Sequence, residues 1–219
     1  MSLDNALEHF RHSKFVLIHD DDNRENEIDM VTAAEFITPE HIARLRQRAG
    51  GMICIAIDNT FGKMIGIDYM HNILQNCNMD ICKMTSNIEP YGDKSSFSIN
   101  HRATYTGITD MDRATTIKEM SKLYKSDHKK KNFLSSFKTP GHVPMLLASE
   151  GLLANRREHT EMSIFLAKLA NVTPITVICE MLDAKSYTAL SAKKAKNYAK
   201  QNSIPIIHCK ELLKCANVY

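Results

Sequence analysis

The stretch His19-Asp20-Asp21-Asp22-Asn23-Arg24-Glu25-Asn26-Glu27-Ile28-Asp29 places six carboxylates and one arginine within eleven residues. Carboxylates crowded this closely repel one another, and a bound cation relieves that cost. Hard oxygen ligands suit Mg²⁺, which keeps waters and completes its shell with substrate oxygens. The plainer reading is a solvated acidic turn in which Arg24 pairs with a neighbour. Elsewhere the chain offers more groups with chemical capacity. His159, next to Thr160, is an imidazole at a helix start, where a histidine also serves as a cap or a surface residue. Arg24 and Arg156 supply guanidinium forks for an anion, and Thr160 lies where a helix would present its first N–H groups. Glu180 ends an apolar run, where desolvation would suit it to proton transfer, although a surface carboxylate at a strand end looks the same. His142 follows Pro140-Gly141 and reads equally as a turn histidine.

These residues need a scaffold, and the hydrophobic pattern supplies one. Residues 4–12 read as a short helix, and Phe15-Val16-Leu17-Ile18 as a strand leading into the acidic stretch. Met30-Val31-Thr32-Ala33-Ala34 reads as the strand leaving it, so the charged segment falls on the rim of a sheet. Thr38-Pro39-Glu40 opens a helix that Gly50-Gly51 stops. Residues 52–57 form a continuous apolar run suited to a central strand. Residues 58–95 suggest short helices and loops. A strand follows at 96–100, then a helix from Asp110 or Met111 to Tyr124, with Asp110 as its cap. The lysine-rich run 125–131 lacks interleaved aromatics, so it reads as a solvated connection rather than a nucleic-acid patch. Residues 160–170 read as a helix, 174–179 as a strand ending at Glu180, 191–200 as a basic helix, 204–207 as a strand and 211–215 as a last helical turn. Strands alternating with helices predict an α/β (α+β) fold, a layered α/β/α sandwich with a mixed sheet, as one domain over 1–219.

Composition narrows the classes. A 43% hydrophobic, 24% charged chain of 219 residues can bury a substantial core in a soluble globular fold. A net charge of +3 is too mild to argue for nucleic acid and is compatible with a small anionic substrate. No apolar run reaches the length of a membrane span and the N-terminus lacks a basic-then-apolar signal, which predicts a cytoplasmic protein. The six cysteines include no Cys-x-x-Cys pair, so neither a disulfide framework nor a zinc site is expected. Cys54 and Cys179 lie in apolar runs and read as core thiols.

The order Asp-Asp-x-x-Arg-Glu-Asn-Glu-x-Asp after a short N-terminal strand resembles the 3,4-dihydroxy-2-butanone 4-phosphate synthase family of riboflavin biosynthesis. Lys94-Ser95-Ser96-Phe97-Ser98, Thr106-Gly107-Ile108-Thr109-Asp110-Met111-Asp112-Arg113, Pro140-Gly141-His142-Val143, His159-Thr160-Glu161 and Cys179-Glu180 are similar to the family's later motifs, in its order. The resemblance implies a Mg²⁺ site (or Mn²⁺, two ions per site) held by Glu25 and His159, with no organic cofactor. It implies catalytic roles for His142, Glu180 and Glu25, and a phosphosugar held by Arg24, Glu25, Asp29, Cys54, Arg156, His159, Thr160 and Glu180. It further implies a homodimer with active sites at the subunit interface, and no nucleic-acid or membrane partner. The implied reaction takes D-ribulose 5-phosphate to L-3,4-dihydroxy-2-butanone 4-phosphate and formate. Three positions depart from the family pattern: Ile28, Arg157 and Glu158 stand where glycine is usual. Glycine permits close backbone approach or positive φ, and Glu158 adds a negative charge near the expected phosphate. Two other readings use the same groups, another Mg²⁺-dependent sugar-phosphate isomerase or aldolase, and a non-catalytic phosphosugar binder.

Overall fold

The computed structural model describes residues 3–20, 26–76, 80 and 95–216. Seven strands form one mixed sheet: β1 (Val16–His19), β2 (Ile28–Ala33), β3 (Cys54–Ile57), β4 (Ser95–His101), β5 (Phe137–Leu147), β6 (Ile175–Glu180) and β9 (Ile206–His208), in the order β4-β5-β3-β6-β2-β1-β9. β3 runs parallel to β5 and β1 parallel to β9, and the other neighbours are antiparallel. A small hairpin, β7 (Leu182–Asp183) with β8 (Thr188–Ala189), follows β6.

Strand alternation sorts the core into two faces. Leu17, Ile28, Met30, Ile55, Ile57, Met145 and Val177 point to one side. There they meet α2 (Pro39–Arg44), α3 (Asn59–Ile65), α5 (Asp110–Tyr124), α6 (Lys129–Ser136) and α8 (Ala192–Gln201). Val16, Ile18, Val31, Cys54, Ile178 and Ile207 point to the other, under α1 (Leu3–Arg11), α7 (His159–Leu169) and α9 (Cys209–Cys215). The α/β/α sandwich with a mixed sheet is therefore as expected. A further helix, α4 (Met70–Gln75), buries none of its side chains. Among the described residues no helix is long and apolar enough to cross a membrane.

Several features differ from the sequence reading, the β7–β8 hairpin among them. The strand β5 was not expected, because Pro140, Gly141 and Pro144 argue against a ladder. The chain absorbs the first two in an excursion: β4 pairs Ile99 with Val143 and then Asn100 with Lys138, skipping the residues between. The Thr139–Pro140 bond within it is cis. The lysine-rich run 125–131 is not only a connection. Lys129-Lys130-Lys131 forms the first turn of α6, which is anchored by the buried Phe133. The cap of α5 is Thr109, whose hydroxyl accepts from the Asp112 N–H, rather than Asp110. Asp110 instead receives Arg46 and Arg113, which hold its carboxyl below the usual range and tie α5 to the turn after α2.

Candidate active site

The site residues meet at one end of the sheet, where β6 finishes and β2 begins. The register pairs Asp29 with Glu180 across these antiparallel strands. Asp29 lies between Ile28 and Met30, which face the first layer, so its side chain points to the α7 side. It is almost fully buried there. Burial raises its carboxyl to about 7, opposed by the nearby His159 and reinforced by Glu180, Glu27 and Asp20. A buried carboxyl near neutrality exchanges its proton at physiological pH, as an acid or base must.

Three polar atoms in this cluster are buried without a hydrogen-bond partner among the described residues: Asp29 Oδ1, Asp20 Oδ2 and His159 Nε2. Buried polar groups are nearly always satisfied, so three orphans around one carboxyl cluster mark a place built to receive a ligand. Asp20 Oδ1 accepts from the Glu27 N–H at 2.9 Å. His19, one residue earlier, bonds Asn26 Oδ1 at 2.9 Å. Arg24 and Glu25, expected to bind substrate and metal, lie outside the described residues, as do Asp21, Asp22 and Asn23. Among the described residues no three His, Cys, Asp or Glu side chains are grouped to hold a metal ion.

Glu180 is held from behind. Its Oε2 accepts the Met52 N–H at 2.7 Å, and its carbonyl accepts the Gly51 N–H at 3.0 Å. The approach is so close that a Cβ on Gly51 would sit 2.3 Å from Glu180 Oε2 and 2.6 Å from its carbonyl oxygen. Gly50, with φ 89, ends the preceding helix and turns the chain into this contact. Gly51→Ala is expected to lower kcat about 10²-fold through displacement of Glu180, because misplacement of a reacting group by an ångström carries that cost. Steady-state kinetics with a melting curve checks this, and unaltered kcat in a folded variant would contradict it.

The N-terminus of α7 provides the opposite wall. His159 and Thr160 are its first two residues, both buried, and the Met162 N–H makes the first helical bond to Glu158. The N–H groups ahead of it point out of the helix end, where the dipole favours an anion. Arg156 is fixed beside this end by an ion pair from Nη1 to Glu161 Oε2 at 3.0 Å. Glu161 is fully buried, and its other oxygen accepts the Ser149 N–H at 2.8 Å. The departures at Ile28, Arg157 and Glu158 need no glycine. None of the three has positive φ, Ile28 packs in the core, and Glu158 occupies the buried N-cap position of α7.

The remaining predicted residues stand further off. Cys54 is buried beside its register partner Ile178, on the α7 side of the sheet. Cys179, whose thiol burial pushes up to about 12, faces the other layer. His142 lies on the excursion of β5 between Lys138 and Val143. β3 lies between β5 and β6, so His142 and Glu180 are carried by strands that are not neighbours. Sequence reasoning gave no role to Asp20, Gly51, Asn100 or Glu161. Asp20 and Glu161 were visible within quoted motifs, but nothing local distinguishes them from solvated acids.

Comparison with known proteins places this geometry. The sequence model of the family described as 3,4-dihydroxy-2-butanone 4-phosphate synthase matches residues 4–215. The enzyme of that name from Methanothermobacter thermautotrophicus is 41% identical over 214 residues, covering 95% of this chain and 93% of its own. That of Methanosarcina mazei is 36% identical, covering 97% and 90%. The Bacillus mycoides riboflavin biosynthesis protein RibBA is 32% identical over 211 residues, 96% of this chain and 48% of the longer protein. A crystal structure of a 3,4-dihydroxy-2-butanone 4-phosphate synthase in complex with two magnesium ions superposes with a TM-score of 0.82 at 25% identity, over 99% of this chain and 97% of that one. The Candida albicans synthase superposes with a TM-score of 0.78 at 28% identity, over 98% and 96%. With its buried Asp29, its paired Glu180 and the His159 helix end set on this sheet, the chain belongs to the 3,4-dihydroxy-2-butanone 4-phosphate synthase family, enzymes of riboflavin biosynthesis.

Proposed function

We propose that this chain is a lyase that converts D-ribulose 5-phosphate to L-3,4-dihydroxy-2-butanone 4-phosphate and formate. The observation that carries the reading is the cluster of orphaned buried atoms, Asp20 Oδ2, Asp29 Oδ1 and His159 Nε2, opening beside the α7 N-terminus. The unpartnered oxygens of Asp20 and Asp29 and the His159 ring nitrogen suit a polyhydroxylated substrate, and the helix end with Arg156 suits a phosphate. Glu25 and His159 would hold Mg²⁺, or Mn²⁺, with two ions in the site and no organic cofactor. The metal would supply Lewis-acid polarisation of the ketose carbonyl and adjacent hydroxyls.

The protein groups do the rest. Arg156 and Thr160 hold the phosphate, and Arg24, Asp29 and Cys54 line the sugar. Glu180, clamped by Met52, and His142 exchange protons with the substrate, and Glu25 is the third acid in reach of it. Atoms balance: the five-carbon ketose phosphate gives a four-carbon ketone phosphate and one formate, with no redox partner. The neutral-range carboxyl of Asp29 keeps a second charge state available as protons move.

We further propose a homodimer in the cytoplasm, with active sites at its interface. Large apolar side chains stand exposed at Tyr105, Ile108 and Met111, and at Met52, next to Glu180. The Arg46–Asp110 ion pair ties the turn before Met52 to the start of α5, so these side chains share one region.

Purified protein with ribulose 5-phosphate and Mg²⁺ is expected to release one formate per turnover, and EDTA to abolish it. Turnover without formate would point to an isomerase or aldolase, and binding without turnover to a phosphosugar-binding protein. Sedimentation of the same sample is expected to give twice the chain mass, and a fully active monomer would refute the interface.

A further inference from the structure

We infer that Asn100 is a positioning residue that holds His142 as the Nε2–H tautomer, so that the imidazole presents a hydrogen-bond donor to the substrate. This rests on the reading of His142 as an active-site group. Asn100 is buried on β4, opposite the excursion of β5 that carries His142. Its side chain makes two contacts to the same residue. The His142 backbone N–H donates to Asn100 Oδ1 at 2.9 Å, and Asn100 Nδ2 lies 3.0 Å from His142 Nδ1.

The first contact fixes the second. An amide oxygen and an amide nitrogen are easily interchanged in assigning a side chain, but a backbone N–H has only a proton to offer. The end of the Asn100 amide facing it must be the oxygen. The end facing the ring is then NH₂, which only donates, so His142 Nδ1 must accept. In a neutral imidazole the proton then resides on Nε2, since the partner of one ring nitrogen decides the state of the other. A donor at Nε2 polarises a substrate oxygen without first taking a proton, and this narrows the role of His142 from acid or base to electrophile.

The surroundings hold the amide in this orientation. Gly107, with φ +88, lies so close that a Cβ there would sit 2.0 Å from Asn100 Nδ2. A Cβ on Gly141 would sit 1.9 Å from the carbonyl carbon of Ile99. These two glycines, in the Thr106-Gly107 and Pro140-Gly141-His142 motifs, let both main chains close around the Asn100–His142 pair.

The test is the tautomer itself. In protein labelled with ¹⁵N-histidine, long-range ¹H–¹⁵N correlation, assigned by the signals lost in His142→Gln, is expected to show His142 with a proton on Nε2 and a bare Nδ1. Asn100→Asp keeps an acceptor for the His142 N–H but turns the other end into an acceptor as well. The ring is then expected to move to Nδ1–H, with kcat falling about 10²-fold and KM within about twofold. A bare Nε2 in the native protein would overturn the inference without any variant, and so would an unchanged tautomer in folded Asn100→Asp. Full turnover by His142→Gln would instead remove the catalytic reading of His142, while the spectrum still decides whether Asn100 sets the tautomer.

Discussion

In EDTA at pH 8, Asp29→Asn is expected to melt higher than the native chain, and with Mg²⁺ restored it is expected to turn over about 10³-fold more slowly. Both effects come from the same burial. The Asp29 carboxyl sits at about 7 in the fold against an ordinary 3.8, mainly through desolvation. A folded-state value above the unfolded one means that the native state binds this proton more tightly. Its contribution is fully present below about pH 4 and is lost as pH rises to about 7. The difference corresponds to a deficit on the order of 4 kcal/mol above neutrality, at 1.36 kcal/mol per pH unit. An asparagine of the same shape does not ionise and escapes that deficit. A gain of about 2–4 kcal/mol would raise the melting temperature of a domain this size by roughly 5–15 °C. The gain should fall below about 1 kcal/mol at pH 4, where Asp29 is neutral in the fold and only partly ionised in the unfolded chain. Calorimetric melting of both proteins at pH 4 and pH 8 checks it, and parallel curves at the two values would show that Asp29 is not desolvated. Stability lost to hold a proton near neutrality is what a functional carboxyl exchanges for reactivity.

The residues of this cluster differ in how far the sequence announces them. Asp29, His159, Thr160 and Glu180 lie in short motifs at element ends, and the elements were readable from period and caps. β6 is an apolar, β-rich run ending at Glu180, and α7 starts at His159. The register of β6 with β2 then pairs Glu180 with Asp29. The supporting residues were not readable in the same way. Met52 reaches Glu180 across 128 positions and Asn100 reaches His142 across 42, and no local pattern encodes either pairing. The strand β5 was hidden because its prolines and Gly141 break the alternation that a ladder shows. The ladder survives because the excursion removes the first two from the pairing. The lysines opening α6 read as solvated because they are solvated. The helix is fixed by Phe133, a single buried residue too sparse to set a period.

Glu161→Ala is expected to destabilise the fold by about 2–4 kcal/mol and to raise KM for the phosphosugar at least tenfold, with kcat changed much less. Glu161 is fully buried on α7 and holds two elements at once, the Ser149 N–H after β5 and the Arg156 guanidinium. Breaking a buried ion pair by removing one partner usually costs about 3–5 kcal/mol. The lower range is expected here because the Arg156 side chain is 17% exposed and can be partly solvated once released. The Ser149 N–H loses its acceptor as well, which adds the cost of an unmade hydrogen bond. For binding, the argument turns on orientation. A guanidinium recognises phosphate through a planar fork whose direction must be set beforehand, and in this chain the Glu161 carboxylate sets it. Without Glu161, Arg156 loses the contact that sets its direction, so the loss appears in binding while Asp29 and Glu180 remain in place. Glu161→Gln separates the two effects, because it keeps an oxygen for Ser149 while removing the charge that orients Arg156. Its stability should fall between that of the alanine variant and the native chain, with KM still raised. Measured KM values equal to native in both folded variants would mean that Arg156 takes no part in holding the phosphate. The anion would then rest on the α7 N-terminus and Thr160 alone.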